Sequence, residues 1–446
     1  MTENTAQGGI ISKEDKPLTV TQQTISEAML PKGVKDFLPI KAAKIEQLKQ
    51  TLHGVFHRWA FRPIIPPSLE FLHVLEKGLG EGLREKTFRF DDRQNGKLVA
   101  FSPDITPQVA RIVATRMQHA PLPQRLCYSG QVLRHAEQQA GKDREIFQTG
   151  VELIGLAGPE ADAEMIAMAV ECLQALGAEE FTIDIGQVEF FRGVMADLPL
   201  TPEQAQQVQY AIDRKDNSSL AELLQGLNLD ERDRQAILAL PRLFGGREVL
   251  DRAEAAVIND RSRQALDNLR QVLEVLKVYG VEKHITFDLG ELRDVDYHTG
   301  ITFQGFLSGL GQAVCSGGRY DNLTARYGMP APATGFSFNL QHLLNAFDKQ
   351  LGKNAEKYAD VLICQPGSNK QPAQLAAQAL RQQGYSVARD IIERQLEDSI
   401  QYAHKMNYRF VMVVGGPNDT VRLIRLADGM EQQIPYRSLL AEGFCL

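Results

Sequence analysis

Three stretches place charged and polar side chains where strand-like patterning favours apolar ones: Phe101–Gln108, Leu133–Glu152, and Leu292–Gly300 followed by Ser316–Asp321. Among them are the carboxylates of Asp104 and Glu152, the Thr106 hydroxyl, the Gln148 amide, the guanidinium groups of Arg134 and Arg293, and the pair Tyr297-His298. Such groups suit recognition of a small charged ligand by charge-assisted hydrogen bonds. Surface positions and ion pairs are the plainer alternatives, and Asp143-Arg144-Glu145 alone reads as a solvated face. Gly317-Gly318 fits a tight turn or close backbone packing as well as ligand approach. The joint spacing of the stretches, rather than any one tripeptide, carries the pocket reading. Metal chemistry is not expected: Cys127, Cys172, Cys315, Cys364 and Cys445 form no CxxC pair, and the nine histidines are dispersed. The cysteines read as reduced core thiols.

The elements that must hold these residues follow from periodicity. Ile45, Leu48, Leu52, Val55, Phe56 and Trp59 recur mostly at three- and four-residue steps, which predicts a helix with one buried face. Pro63, Pro66 and Pro67 then require extended backbone. Strand-like runs lie at Leu98–Phe101, Arg125–Ser129, Ile146–Leu153, Phe181–Ile185, His284–Leu289, Gly300–Phe303 and Gln312–Ser316, with an amphipathic helix over Ala161–Leu176. Strands and helices in irregular order predict an antiparallel sheet with helices packed on it, an α+β arrangement. From about 191 to 281 the chain reads as a helical insertion. A composition break near Asp348–Tyr358 marks a linker, and the remainder alternates strand and helix through Val361–Cys364, Gln374–Gln383, Tyr385–Arg389, Leu396–Met406 and Phe410–Val414. That alternation predicts βαβ units with parallel neighbours. The expected division is a flexible tail at 1–28, a core at 29–350 and a C-terminal α/β unit at 356–446.

Composition bounds the function. Of 446 residues 43% are hydrophobic and 24% charged, the balance of a soluble globular protein. The longest apolar runs, such as Phe410–Val414, fall far short of the roughly 20 residues of a membrane span. The first 28 residues lack arginine and a sustained apolar region, so they read as a tail rather than a signal peptide, and a cytoplasmic location is expected. A net charge of −7 opposes general nucleic-acid binding, which needs a basic surface.

In order and spacing the polar stretches resemble the catalytic core of histidyl-tRNA synthetase, a class II aminoacyl-tRNA synthetase, over roughly Leu30–Phe347. Pro67–Glu70 is similar to the class's dimer-forming first motif. Arg134 falls on the second motif's arginine, which in the family grips the α-phosphate of ATP, and Arg293 on the arginine of the histidine signature. The resemblance implies a free-histidine pocket in which Asp104, Thr106 and Gln148 hold the ammonium, Arg293 the carboxylate, and Glu152 accepts from an imidazole N–H. Three or four such bonds, each worth roughly 1.5–3 kcal/mol, would give micromolar binding after entropic losses. His298 departs from the family, which has a second tyrosine beside Tyr297.

The adenylation machinery departs further. The third motif's helix opens with a glycine and carries a Glu-Arg pair; here the matching stretch is Thr334–Leu343, with His342 where the arginine should be. A histidine, with an ordinary pKa near 6.5, is mostly neutral at pH 7 and lacks the arginine's planar fork. Gln341 and Asn339 also depart, and Ala136 replaces the second motif's glutamate, with Glu137 next to it. Losing one preorganised donor typically costs about 10²- to 10³-fold in rate, so no catalytic residue is assigned.

The wording is closer still to a catalytically inactive relative, the family of ATP phosphoribosyltransferase regulatory subunits, as in Asp104–Ala114, Arg144–Gln148, Gly150–Gly155 and Leu289–Arg293. This likeness implies a short catalytic subunit as partner, a homodimer within a hetero-oligomer, histidine as effector, a role in histidine biosynthesis, and no cofactor. Val361–Cys364, Ala379–Gly384 and Phe410–Gly415 resemble the synthetase's anticodon-binding domain, although acidic and basic residues there are about balanced. An active synthetase, and a free-standing histidine sensor or tRNA-binding protein, are the alternatives.

Overall fold

The computed structural model describes residues 29–135, 143–196, 198–292, 297–351, 359–415, 419–441 and 444–446. The 1–28 tail, most of the 348–358 linker, Ala136, Glu137 and Arg293 lie outside them.

Helix α1 (Pro39–Arg58) buries Ile45, Leu48, Leu52, Val55 and Phe56 on one face, and its buried Lys44 reaches Asp348 at 2.8 Å. The proline-rich stretch yields the short strand β1 (Arg62–Pro63) and β2 (Leu69–Phe71), followed by β3 (Arg89–Asp91) and β4 (Leu98–Phe101). β2, β4 and β3 form a separate small antiparallel sheet. Helix α2 (Thr106–Arg116) takes up a segment whose polar residues were expected on a strand; Pro107 sits in its first turn, where a missing N–H is harmless. Long strands β5 (Gln124–Leu133) and β6 (Glu145–Ile154) follow, then helix α3 (Pro159–Ala175). α3 is buried over most of its circumference, because it packs against α1 on one side and the sheet beneath.

β7 (Phe181–Gln187) leads into α4 (Val188–Met195) and the helical insertion: α5 (Pro202–Asp213), α6 (Asn217–Gln225), α7 (Glu231–Ala239), α8 (Glu248–Glu254) and α9 (Asp260–Val278). Its starts are written in the sequence. Thr201 with Gln204 and Asn259 with Ser262 form capping boxes, and Asp216 caps α6 through Ser219 N. Between α7 and α8 a two-residue strand, β8 (Phe244–Gly245), pairs with β9 (Ile285–Asp288) and so stitches the insertion to the edge of the main sheet. Strands β10 (Ile301–Leu307), β11 (Ala313–Arg319) and β12 (Ala333–Asn339) complete that sheet, and α10 (Leu340–Phe347) ends the core. The third-motif stretch is therefore strand as far as Asn339 and helical only afterwards.

The main sheet runs β1-β5-β6-β12-β11-β10-β7-β9-β8 and is antiparallel except at β1/β5 and β7/β9. This is the class II aminoacyl-tRNA synthetase-like α+β architecture. A second, five-stranded sheet belongs to the C-terminal unit: β13 (Ala359–Cys364), α11 (Gln371–Gln382), β14 (Val387–Arg389), α12 (Leu396–Lys405), β15 (Tyr408–Val413), β16 (Thr420–Arg425) and β17 (Glu431–Pro435). β13 has parallel neighbours on both sides, as βαβ units require, while β16 and β17 add an antiparallel edge. It has its own apolar clusters on each face of β13 and β15. No helix among the described residues is long and apolar enough to cross a membrane.

Candidate ligand-binding site

A cavity of about 460 Å³ opens over the middle of the main sheet, floored by β10, β11, β12 and β6. Asp104, Thr106, Arg134, Gln148, Tyr297 and His298 all line it. Asp104 lies in the turn that starts α2, and its Oδ1 accepts from Thr106 N at 3.3 Å. The same oxygen accepts from Gln148 Nε2 at 3.3 Å, while Gln148 Oε1 accepts from Ile105 N at 3.3 Å. The turn and β6 are thus locked together, and a ligand ammonium would meet a preorganised carboxylate. Arg134 is tied to the residue before Asp104, its Nε donating to Pro103 O at 2.8 Å.

Tyr297 and His298 come from the turn before β10. The Tyr297 ring lies 5.5 Å from that of Tyr320, and His298 meets Tyr297 edge-on at 5.2 Å. His298 Nδ1 lies 3.2 Å from Arg319 O, so this nitrogen is the one that donates. Arg319 is itself a buried anchor: it pairs with Asp162 at 3.0 Å and Asp321 at 2.9 Å, and donates to the carbonyls of Leu156 and Gly158. Gly317 and Gly335 are fixed by close packing, since a Cβ at Gly317 would sit 2.4 Å from Gly335 O, and one at Gly335 would strike the Glu152 carboxyl.

Glu152 is placed differently from the other site residues. It is not among those lining the cavity; it lies beneath the floor, 1% exposed, facing Gly335 across the β6/β12 ladder. Tyr128 donates to its Oε1 at 3.1 Å and the Tyr320 hydroxyl to its Oε2. Burial is the main cause that pushes this carboxyl up to about 8, with the nearby Asp104 charge adding to it and the tyrosine bonds opposing it. At neutral pH the group is largely protonated, and both oxygens are already engaged.

A second cavity of about 390 Å³ shares Arg134, Gln148, Gln304, Phe306, Ser316 and Ser337 with the first and extends to His342. Among its described lining residues Arg134 is the one permanent cation. His342 turns its Nδ1 to Ala313 O at 2.7 Å. Gln341 is 6% exposed and bridges to β6, accepting from Phe147 N at 3.0 Å and donating to Glu145 O at 2.7 Å. Asn339 caps α10 through Gln341 N and His342 N. The departures noted in the third motif are therefore occupied in holding α10 to the sheet.

Several lining residues escaped the sequence reading: Asp184, Asp213, Lys215, Asp288 and Gln304. For the strand residues the signal was present. Thr302, Gln304 and Phe306 line the cavity at a period of two, with Phe303 also reaching it, and Asp184 and Gly186 keep the same spacing. Asp213 and Lys215 arrive from the insertion and carry no such pattern.

This sheet, with its central cleft, defines a class II aminoacyl-tRNA synthetase-like protein, and the family model described as histidyl-tRNA synthetase matches residues 33–343. The histidyl-tRNA synthetase of Nostoc sp. PCC 7120 superposes with a TM-score of 0.77 over 92% of this chain and 98% of its own, at 23% identity, a likeness of fold. A Bacillus halodurans structure described as an ATP phosphoribosyltransferase regulatory subunit/histidyl-tRNA synthetase reaches 0.76 over 89% and 99%, at 28% identity. Sequence relatives are more specific. The ATP phosphoribosyltransferase regulatory subunit of Syntrophotalea carbinolica is 70% identical over 95% of this chain and 99% of its own length. That of Geobacter sulfurreducens is 54% identical over 96% and 98%. The chain belongs to the family of ATP phosphoribosyltransferase regulatory subunits.

Proposed function

We propose that the chain acts without catalysis of its own, as the regulatory subunit that a short-form ATP phosphoribosyltransferase needs for activity in the first step of histidine biosynthesis. The observation that carries this reading is the contrast between the two cavities. The amino-acid side retains a preorganised Asp104, Thr106 and Gln148 cluster, while on the other side His342 and Gln341 are bonded to backbone. A triphosphate needs several cations preorganised around it, and the described lining there offers Arg134.

Free histidine is the proposed effector, held in the larger cavity by Asp104, Thr106, Gln148 and Arg134, with Tyr297 and His298 beside it. Arg293, expected at the carboxylate, lies outside the described residues. Glu152 acts from below the floor through Tyr128 and Tyr320 rather than by direct contact. Control of the partner then follows from linkage: histidine binds one state of the assembly more tightly and shifts the equilibrium towards it.

A homodimer is also proposed. Leu69, Phe71, Phe90 and Phe101 share one face of the small sheet, and Leu69 and Phe90 are each 43% exposed. A second copy meeting this face about a two-fold axis would cover them. The C-terminal unit is assigned a structural or subunit-contact role.

The test measures phosphoribosyl-ATP formation by the short catalytic subunit of the same organism, with and without this chain and with histidine titrated. Activity should appear with the chain and fall with histidine. No change at any ratio of the two proteins would reject the partnership, and histidine-dependent pyrophosphate exchange by the chain alone would restore the synthetase alternative.

A further inference from the structure

The helical insertion contributes to the larger cavity at one place. Asp213, the last residue of α5, and Lys215, in the turn between α5 and α6, both line it. Lys215 adopts a left-handed backbone (φ 53°), which a lysine adopts at a cost, and its Nζ reaches Asp288 Oδ2 at 2.5 Å. Its ammonium also lies 4.5 Å from the centre of the Phe244 ring. Asp288 ends β9, and it lines the cavity together with Glu291. Directly behind this wall the insertion packs again: Leu289 N donates to Leu243 O at 3.0 Å, and a Cβ at Gly290 would sit 2.8 Å from Leu240 O. One short segment, 288–291, is therefore sandwiched between the cavity and the insertion, and it leads towards the Tyr297-His298 turn.

We propose that the insertion completes the ligand site, with Lys215 as the positioning residue that latches it to Asp288, so that filling the cavity and docking the insertion favour each other. The physical reason is that the docked insertion supplies part of the cavity wall. A ligand enclosed by that wall binds the docked state more tightly than a state in which the α5–α6 turn has moved away, and by reciprocity it stabilises docking. The lysine end of the latch is 39% exposed, although Asp288 is only 14% exposed, so the pair opens by release of Lys215 to solvent. The ligand-dependent change at the α5–α6 turn is then a signal that a partner subunit can read, on a face where Tyr210 and Phe244 are 62% and 53% exposed.

This inference rests on the reading of the cavity as a histidine site, and one experiment separates the two. Amide hydrogen exchange of the full chain is followed with and without saturating free L-histidine, for the native protein, Lys215→Ala, and the charge-swapped pair Lys215→Asp with Asp288→Lys. Histidine should slow exchange in β6 and β12 and also, several-fold, across residues 210–220. In Lys215→Ala the second effect should vanish while the first persists, and the charge swap should restore part of it. Protection of β6 and β12 without any change at 210–220 in the native protein overturns the proposed coupling and leaves the histidine site standing. Equal protection at 210–220 in Lys215→Ala overturns the latch. Protection nowhere overturns the coupling together with the histidine reading.

Discussion

The two cavities share a wall but differ in what their polar groups are doing. In the larger one Asp104 and Gln148 bond to each other and to the start of α2, an arrangement that orients them towards the space. At the smaller one the lining residues His342 and Asn339, and the neighbouring buried Gln341, bond to backbone atoms of β11, α10 and β6 respectively, which directs them away from a ligand. The lesson is that the residues at the third-motif positions are held in packing roles, so placing one arginine among them would not by itself create a set of free donors.

The comparison is sharpened most by the group beneath the larger cavity. Because burial raises the Glu152 pKa to about 8 from 4.5, the folded chain holds a proton that the unfolded chain releases. The associated stability is complete below about pH 4.5, declines as pH rises through the interval to about 8, and is lost above it. The full loss is on the order of 5 kcal/mol, of which about 3 kcal/mol falls between pH 5.5 and 8.5. Urea unfolding at pH 5.5 and 8.5 should show this slope, and Glu152→Gln should flatten it.

Next in size, Asp104→Ala should weaken histidine by about 2 kcal/mol, or roughly 30-fold, by calorimetric titration. The reverse arrangement holds on the other side. Gln341→Ala should leave histidine affinity unchanged and cost about 1–2 kcal/mol of stability, because the Phe147 N–H loses its acceptor; thermal unfolding measures it. The smallest effect belongs to His342→Arg: pyrophosphate exchange should stay at background, since Gln341 and Asn339 keep their structural bonds. A clear gain of exchange in that single variant would break the contrast between the two sides.

How far the sequence could be read depends on how local each signal is. The strand pairs β5/β6 and β10/β11 and helices α1 and α3 were legible because apolar periodicity is a property of the segment itself. The parallel neighbours of β13 were legible for the same reason. α2 was not, because Asp104-Ile105-Thr106-Pro107 reads as an extended polar stretch until one sees Asp104 closing a turn and Pro107 starting a helix. β12 was not legible for a different reason: Thr334–Asn339 matches the opening of a helix motif, whereas the helix begins only at Leu340.

By itself, the sequence determined which residues are available, the α+β class, the loss of the third-motif arginine and membership of a regulatory-subunit family. Tertiary structure alone decided which of those residues face a common space. Asp104, Arg134, Gln148, Tyr297 and His298 converge there, whereas Glu152 is turned under the floor, where Gly335 leaves room for its carboxyl and two tyrosines satisfy it. It also decided that Lys215 and Asp213, far away in the chain, complete the wall. Burial, register and approach between distant segments are set by packing, and a single side chain carries no local mark of them.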